Sequence, residues 1–194
     1  FPFNKRIISA TGTQADTEHP HVLRLWVNRS FLDRILPVVV TGLLPSLPAR
    51  WLRSRSPELF LPAQIVLKRK IDDHTRSFDA ERAAYDRLRP LQGKVMPVLL
   101  GQIEYDGARA PLLSDIGGVC LAEPAGEMLA GELGRLIGEA LGQLAVGGLL
   151  HDVKLDNFHL VGEGQGAKIM VVDLEQVDLD LSEEDDAWVV RENV

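Results

Sequence analysis

A short polar run between two patterned segments constrains this chain more than any other feature. Residues 126–146 are rich in Leu, Ala, Glu and Gly at helical spacing, and they predict a helix. Residues 158–161 and 168–172 predict a β-hairpin across a turn at 162–166, and the second strand delivers Asp173 at its end. The polar run 150–157, which reads Leu-His-Asp-Val-Lys-Leu-Asp-Asn, therefore lies in a loop between a helix and a hairpin.

Four side chains in this region have the chemistry that phosphoryl transfer needs. That reaction requires a carboxylate to orient or deprotonate the attacking hydroxyl, a cation beside the transferred group, and oxygen ligands for magnesium. Asp152, Lys154, Asn157 and Asp173 supply this set, since Mg²⁺ takes few protein ligands, all of them oxygen. The alternative is that Asp152 and Asn157 are turn residues that cap the hairpin.

The upstream part of the chain alternates between strand and helix patterns. A β-branched run over 64–70 predicts a strand, and residues 77–88 carry apolar side chains at helical spacing. Asp106-Gly107 predicts a hairpin turn between strands at 95–105 and 108–114. A further strand is predicted over 21–28, and the proline-rich stretch 36–62 predicts a loop with one short helix at 49–55. This order indicates an α+β fold, with a small sheet-based lobe before a mostly helical one.

The polar run resembles the catalytic loop of the protein-kinase superfamily, which reads His-Arg-Asp-Leu-Lys-x-x-Asn. Aligned on Asp, Lys and Asn, the resemblance implies that Asp152 is the catalytic base, Lys154 the phosphate-facing lysine, and Asn157 a magnesium ligand. Asp173 takes the place of the family's metal-binding aspartate. The family's histidine and arginine positions are Leu150 and His151 here.

Two details refine this resemblance. The family's Asp-Phe-Gly appears as Asp173-Leu174-Glu175, which looks more like the small-molecule kinases of the aminoglycoside and choline phosphotransferase type. The loop also resembles that of a set of compact fungal kinase-like proteins. Lys154, in contrast, is a protein-kinase trait.

The resemblance extends upstream and covers about residues 63 to 176. Ile-Val-Leu-Lys at 65–68 matches the family's Val-Ala-Ile-Lys strand, so Lys68 would pair the α- and β-phosphates of ATP. Glu81, on the predicted helix 77–88, would be its partner. Residues 112–118 resemble the hinge between lobes, where Ser114, Asp115 and Ile116 would face an adenine. The implied cofactors are ATP and Mg²⁺.

These assignments predict a protein-kinase-like bilobal fold with a small antiparallel-sheet N-lobe plus helix and a minimal, truncated helical C-lobe. The N-lobe would span 1–113, the hinge 114–118, and the C-lobe with its acidic tail 119–194. Truncation is expected because only 21 residues follow Asp173. A short helix is expected within the tail at 181–193.

Charge and composition exclude several classes of function. The net charge is −7, and residues 178–194 carry seven acids and one base, so nucleic acid is not an expected partner. No apolar stretch is long enough to span a bilayer. The single cysteine, Cys120, predicts a small core residue and mildly favours a reducing, cytoplasmic compartment. Because the chain begins at Phe1, a removed leader and secretion stay open as the alternative.

Two functions from different classes follow, and a third interpretation sets the resemblance aside. The first is an ATP- and magnesium-dependent phosphotransferase. The second is a pseudokinase that serves as a protein-binding or regulatory module, favoured because no Gly-x-Gly-x-x-Gly precedes Lys68. The expected place for that cover, residues 22–61, contains only Gly42. The third is a generic α+β domain with an acidic tail. Nucleotide is the expected partner of the enzyme, and a protein is a further candidate partner or substrate.

Overall fold

The computed structural model of the protein describes residues 1–15, 21–31, 33, 35, 55–69, 75–123 and 130–179. The chain forms two compact units, Phe1–Asp72 with Leu99–Asp115, and Asp73–Val98 with Ile116–Val194. The segment Asp73–Val98 thus belongs with the second unit, whereas the sequence-based division places it in the first lobe. The expected helices at 49–55 and 181–193 lie wholly or almost wholly outside the described residues.

The first unit is built on a five-stranded antiparallel sheet. A two-stranded ribbon of β1 (Pro2–Phe3) and β2 (Arg6–Ile7) precedes it. The sheet contains β3 (Ala10–Gln14), β4 (Val22–Val27), β5 (Gln64–Lys68), β6 (Leu99–Tyr105) and β7 (Ala108–Ser114), in the spatial order β3-β4-β5-β7-β6. The predicted turn between β6 and β7 is confirmed, since Asp106 and Gly107 both have positive φ, at 54° and 75°.

One face of this sheet forms the core of the first unit. Side chains alternate along each strand, so Leu25, Ile65, Leu67 and Leu112 lie on one face and are buried there. The ribbon residue Phe3 packs against them and takes the space above Gly101, where a Cβ would come within 2.6 Å of its ring. The opposite face carries the other set, including Val66 and Lys68.

In its described residues, the second unit contains two α-helices and two short antiparallel sheets, one of three strands and one of two. Helix α1 spans Thr75–Arg87, and a 3-10 turn at Arg89–Leu91 follows it. Helix α2 spans Ala130–Ala145. The strands are β8 (Val119–Cys120), β9 (Leu149–Leu150), β10 (Phe158–Val161), β11 (Lys168–Val171) and β12 (Val177–Asp178). β10 pairs with both β11 and β8, and β9 pairs with β12, all antiparallel.

Each helix buries a stripe at helical spacing. In α2 the buried positions are Leu136, Ala140 and Leu144, one turn apart. In α1 and just beyond its end they are Phe78, Glu81, Ala84, Tyr85 and Leu88. The predicted helices are therefore confirmed within the described residues. Glu81 stands out because a carboxylate inside an apolar stripe is costly to bury.

The hairpin β10–β11 is anchored to the segment after α1. Lys168 Nζ donates to the carbonyls of Gly93 and Lys94 at 3.2 and 2.8 Å, and the Val171 amide donates to the Val95 carbonyl at 2.8 Å. Cys120, expected in the core, is half-buried on β8. In the part of the chain that the structure describes, no helix is long and apolar enough to cross a bilayer.

Candidate functional site

The hairpin and the β9–β12 pair place the polar run and Asp173 at one end of the second unit. Asn157 directly precedes β10 and Val172 directly follows β11, and Phe158 is paired with Val171. The Val172 amide donates to the Asn157 carbonyl at 3.0 Å, which extends the pairing by one residue. Asp173 is the next residue after Val172, so it lies close to Asn157 at the end of the hairpin. The backbone register thus brings the two predicted magnesium ligands together.

The other ends of both segments are tied as well. β9 leads into the polar run, β12 follows Asp173 closely, and the His151 amide donates to the Gln176 carbonyl at 3.0 Å. A 3-10 turn at Leu155–Asn157 completes the loop. The run is thus fixed at both ends by strand pairing, which suits a site whose groups must hold their positions.

Three residues of the polar run form a local network. Lys154 Nζ donates to Asp152 Oδ2 at 3.0 Å. The amide Nδ2 of Asn157 donates to the Asp152 carbonyl at 2.9 Å and lies 3.4 Å from Asp152 Oδ2. Asn157 is buried, whereas the side chains of Asp152 and Lys154 are 22% and 65% exposed. The network orients the Asp152 carboxylate and leaves it open to a ligand.

Electrostatics keep Lys154 charged. Its hydrogen bond to Asp152 and the Asp152 charge raise the pKa of Lys154, and Asp156 and Asp173 add to this in the same direction. The ammonium group therefore stays positive throughout the physiological range. The structure thus places a cation beside the Asp152 carboxylate, and the catalytic roles of the two residues stay predictions.

Asp173 is held by its own turn. The Glu175 amide donates to Asp173 Oδ1 at 3.0 Å, and the intervening Leu174 is completely buried. The buried leucine anchors the turn, and Asp173 itself is half-buried. Leu174 therefore accounts for how this turn holds Asp173 in place.

Helix α1 brings two further groups toward Asp173. Tyr85 lies one turn after Glu81 on the buried stripe, and its hydroxyl has no hydrogen-bond partner among the described residues. Burial raises the pKa of Tyr85 well above its ordinary value, and the nearby charges of Glu81 and Asp173 raise it further. Tyr85 was not predicted from the sequence. The sequence signal that could have indicated it is that Tyr85 and Glu81, a phenol and a carboxylate, share a helical stripe that is otherwise apolar.

The donor set fits a magnesium ion. Asn157 uses Nδ2 for Asp152, so its Oδ1 is the atom available to a cation, and Asp173 presents a carboxylate oriented by the Glu175 amide. No group of three or more His, Cys, Asp or Glu side chains is arranged to bind a metal within the described ranges. Two protein oxygens suffice for Mg²⁺ in a nucleotide site, because phosphate and water complete the octahedron.

Three of the remaining predicted residues lie at or just after strand ends of the first unit. Lys68 ends β5, half-buried, and is opposite Val22 of β4. Ser114 ends β7, and Asp115 follows it with its carboxylate 2.8 Å from Arg24 Nε. Ile116 begins the next segment of the second unit. The nucleotide-binding roles of these residues and the Lys68–Glu81 pair stay predictions.

Strands β3 and β4 pair ahead of Lys68 in the chain, and residues 16–20 between them lie outside the described residues. The expectation that a cover lies within 22–61 falls largely outside the described residues and stays a prediction, whereas β3, a polar and partly exposed strand, was not predicted. Residues 15–21 contain no glycine. Gly12 lies within β3 and faces the core, since a Cβ there would be 2.4 Å from Leu25 Cδ2. Its role is close strand packing.

Comparison with known proteins shows the fold. No protein-family model and no curated protein matches this chain. A doubly substituted kinase domain of PknI from Mycobacterium tuberculosis superposes with a TM-score of 0.51 and 15% identity, over 90% of this chain and 64% of that one. A singly substituted form of that domain gives a TM-score of 0.48 and 14% identity, over 91% of this chain and 64% of that one. A second doubly substituted form gives a TM-score of 0.48 and 16% identity, over 90% of this chain and 62% of that one.

The chain thus spans somewhat under two thirds of the length of these kinase domains. At 15% identity the similarity concerns fold alone. The predicted α+β, protein-kinase-like fold is confirmed.

Proposed function

We propose that this chain is an ATP- and magnesium-dependent phosphotransferase. Asp152 is the catalytic base, Lys154 neutralises the transferred phosphoryl group, and Asn157 and Asp173 hold magnesium. The observation that carries the proposal is the network of Asp152, Lys154 and Asn157 at 2.9–3.0 Å, held next to Asp173 by the Val172–Asn157 backbone bond. The roles of Lys68, Glu81, Ser114, Asp115 and Ile116 toward ATP rest on the sequence resemblance.

The proposed chemistry moves one proton and one phosphoryl group. A substrate hydroxyl gives its proton to the Asp152 carboxylate as its oxygen bonds to the γ-phosphorus of ATP. The bond from that phosphorus to the bridging oxygen breaks, and ADP leaves. Magnesium would neutralise the phosphate oxygens. Lys154 contributes a permanent positive charge, because its raised pKa prevents deprotonation at neutral pH.

The nature of the phosphoryl acceptor is proposed from residues 173–175, where the sequence differs from the Asp-Phe-Gly of protein kinases. Asp-Leu-Glu in place of Asp-Phe-Gly favours a small hydroxylated molecule, as in the aminoglycoside and choline phosphotransferase type, over a protein acceptor. A relationship to compact fungal kinase-like proteins belongs to the same proposal. The use of ATP and the single cysteine favour a cytoplasmic location.

A pseudokinase is the second candidate, and the β3–β4 hairpin favours it. Glycine lets backbone amides approach phosphates closely, and the connection 15–21 has none. In this case the fold would serve as a protein-binding module, and ATP turnover would be absent.

ADP release with small-molecule acceptors separates the two candidates. We expect the native chain to turn over and Asp152→Asn to lose about 10²–10⁴-fold in rate, the usual contribution of a general base. Asp86→Asn is the matched control, because Asp86 is an exposed α1 carboxylate paired only with surface arginines in the described parts. Equal rates for Asp152→Asn and the native chain would rule out the base. Nucleotide binding without turnover would favour the pseudokinase.

A further inference from the structure

An ion pair links the second sheet strand of the first unit to the residue after β7. Arg24 Nε lies 2.8 Å from Asp115 Oδ2, with side chains 36% and 8% exposed. The Nε–H does not point at the carboxylate closely enough for a hydrogen bond. The contact is therefore an electrostatic pair in which the acid is almost fully removed from solvent. Because burying an uncompensated charge is costly, the Arg24 guanidinium stabilises the Asp115 carboxylate at this place.

Strand register shows where the arginine side chain runs. Arg24 on β4 is opposite Val66 on β5, and Val66 is opposite Leu113 on β7. Asp115 follows β7, so the Arg24 side chain must cross β5, a lateral distance of about two strand spacings of 4.8 Å each. It crosses on the face that carries Val66 and Lys68, because the other face holds the buried core. The arginine stem thus lies along the sheet face that carries Lys68.

We propose that Arg24 is a positioning residue for the nucleobase, held over the sheet face by Asp115. The inference rests on the proposed function, in which Ser114 and Asp115 belong to the segment that faces the base. A planar guanidinium stacks well against an aromatic ring and supplies surface where an aliphatic side chain would otherwise lie. Its pairing with Asp115 offsets its charge, so Arg24 acts on the base and leaves the phosphates to Lys68.

The ion pair also fixes the end of β7. The last β5–β7 pairing in the described residues is Ile65 with Ser114, so Asp115 lies one residue beyond that ladder. The pair with Arg24 therefore adds a side-chain link to Asp115 beyond the last ladder position. Loss of Arg24 should loosen the residues that meet the base while the sheet core stays unchanged.

The test compares two ligands on one set of variants. Magnesium-ATP carries a base and magnesium-tripolyphosphate does not, and both are titrated into the native chain, Arg24→Met and Arg69→Met. Arg24→Met keeps an apolar stem and removes the charge. Arg69→Met is the matched control, because Arg69 is exposed just after β5. We expect Arg24→Met to weaken the binding of magnesium-ATP about tenfold, within the usual 1–3 kcal/mol for stacking one base. The binding of magnesium-tripolyphosphate should weaken less than about twofold.

Amide hydrogen exchange over residues 113–117 of the free protein gives a second readout. Arg24→Met should speed exchange there, Arg24→Lys should largely restore slow exchange, and Arg69→Met should leave it unchanged. Equal weakening of both ligands, or unchanged ATP affinity, would overturn the inference. If the native chain binds neither ligand, the proposed function fails. Unchanged exchange in Arg24→Met would refute the positioning role regardless of nucleotide.

Discussion

Two adjacent glycines after β7 offer a sharp test of the backbone, because they have the same conformation and different surroundings. Gly117 and Gly118 both have positive φ, at 61° and 80°. A Cβ on Gly117 would meet nothing within 4 Å, whereas one on Gly118 would lie 2.3 Å from the Leu160 carbonyl oxygen. Alanine at either position has the same left-handed strain, and only at Gly118 does it collide with backbone.

The two costs can be estimated separately. Left-handed alanine costs about 1–2 kcal/mol, so Gly117→Ala should lower the free energy of unfolding by about that amount. Gly118→Ala must also push β8 from β10, which endangers the Leu160–Val119 pairing and the bond from the Leu121 amide to the Phe158 carbonyl. At about 1 kcal/mol per hydrogen bond, two or three such bonds bring the total to about 3–5 kcal/mol.

Urea unfolding followed by fluorescence measures both variants against the native chain. The difference between them should be about 2–3 kcal/mol, a large share of the 5–15 kcal/mol typical of a domain. The pairwise comparison cancels the effect of alanine on the unfolded chain, which is the same at both positions. If Gly118→Ala is no less stable than Gly117→Ala, the backbone of Gly118 does not lie against Leu160.

Two further predictions concern titratable groups. Tyr85→Phe should raise the unfolding free energy at pH 7 by about 1 kcal/mol, since it removes a buried hydroxyl that has no partner among the described residues. Because the pKa of Tyr85 is raised in the folded protein, the free energy of unfolding of the native chain falls as the pH rises past the unfolded pKa of about 10. Urea titrations should show a smaller fall with pH in Tyr85→Phe. If Tyr85→Phe is less stable than the native chain at pH 7, the hydroxyl is not an unpaired buried group. Hydrogen bonds from Ser30 and the neighbouring Arg6 lower the pKa of Asp33, so its contribution is present above about pH 4 and lost as the pH falls through the lower folded pKa. Melting temperatures between pH 2 and 6 should therefore depend less on pH in Asp33→Asn, and identical profiles would contradict the pairing.

The parts of the fold that were predictable are those with strong local signals. The β10–β11 hairpin combines a β-branched run with a glycine-rich turn. Asp106 and Gly107 indicate the turn between β6 and β7, because Asp and Gly are residues that tolerate the positive φ this turn needs. Helix α1 could be predicted because its apolar residues recur at helical spacing. The register that places Asp173 beside Asn157 follows from this hairpin, so the centre of the candidate site could be inferred from sequence.

The parts that were not predictable depend on pairing between distant segments. β3 is mostly exposed and contains Gly12, and its strand character comes from pairing with β4. β8, β9 and β12 are two residues long each, too short for any periodic pattern. Arg24 and Asp115 are about ninety positions apart in sequence, and nothing local to either indicates the other.

Calorimetric titration with magnesium-ATP tests the central claim most directly. The account predicts one saturable site in the native chain, whose binding is lost when EDTA removes magnesium and is strongly weakened in Asp173→Asn. Circular dichroism of Asp173→Asn should match the native spectrum, so that the loss reports the ligand site. An absence of binding at millimolar nucleotide, or equal magnesium-dependent binding by Asp173→Asn, would contradict the account.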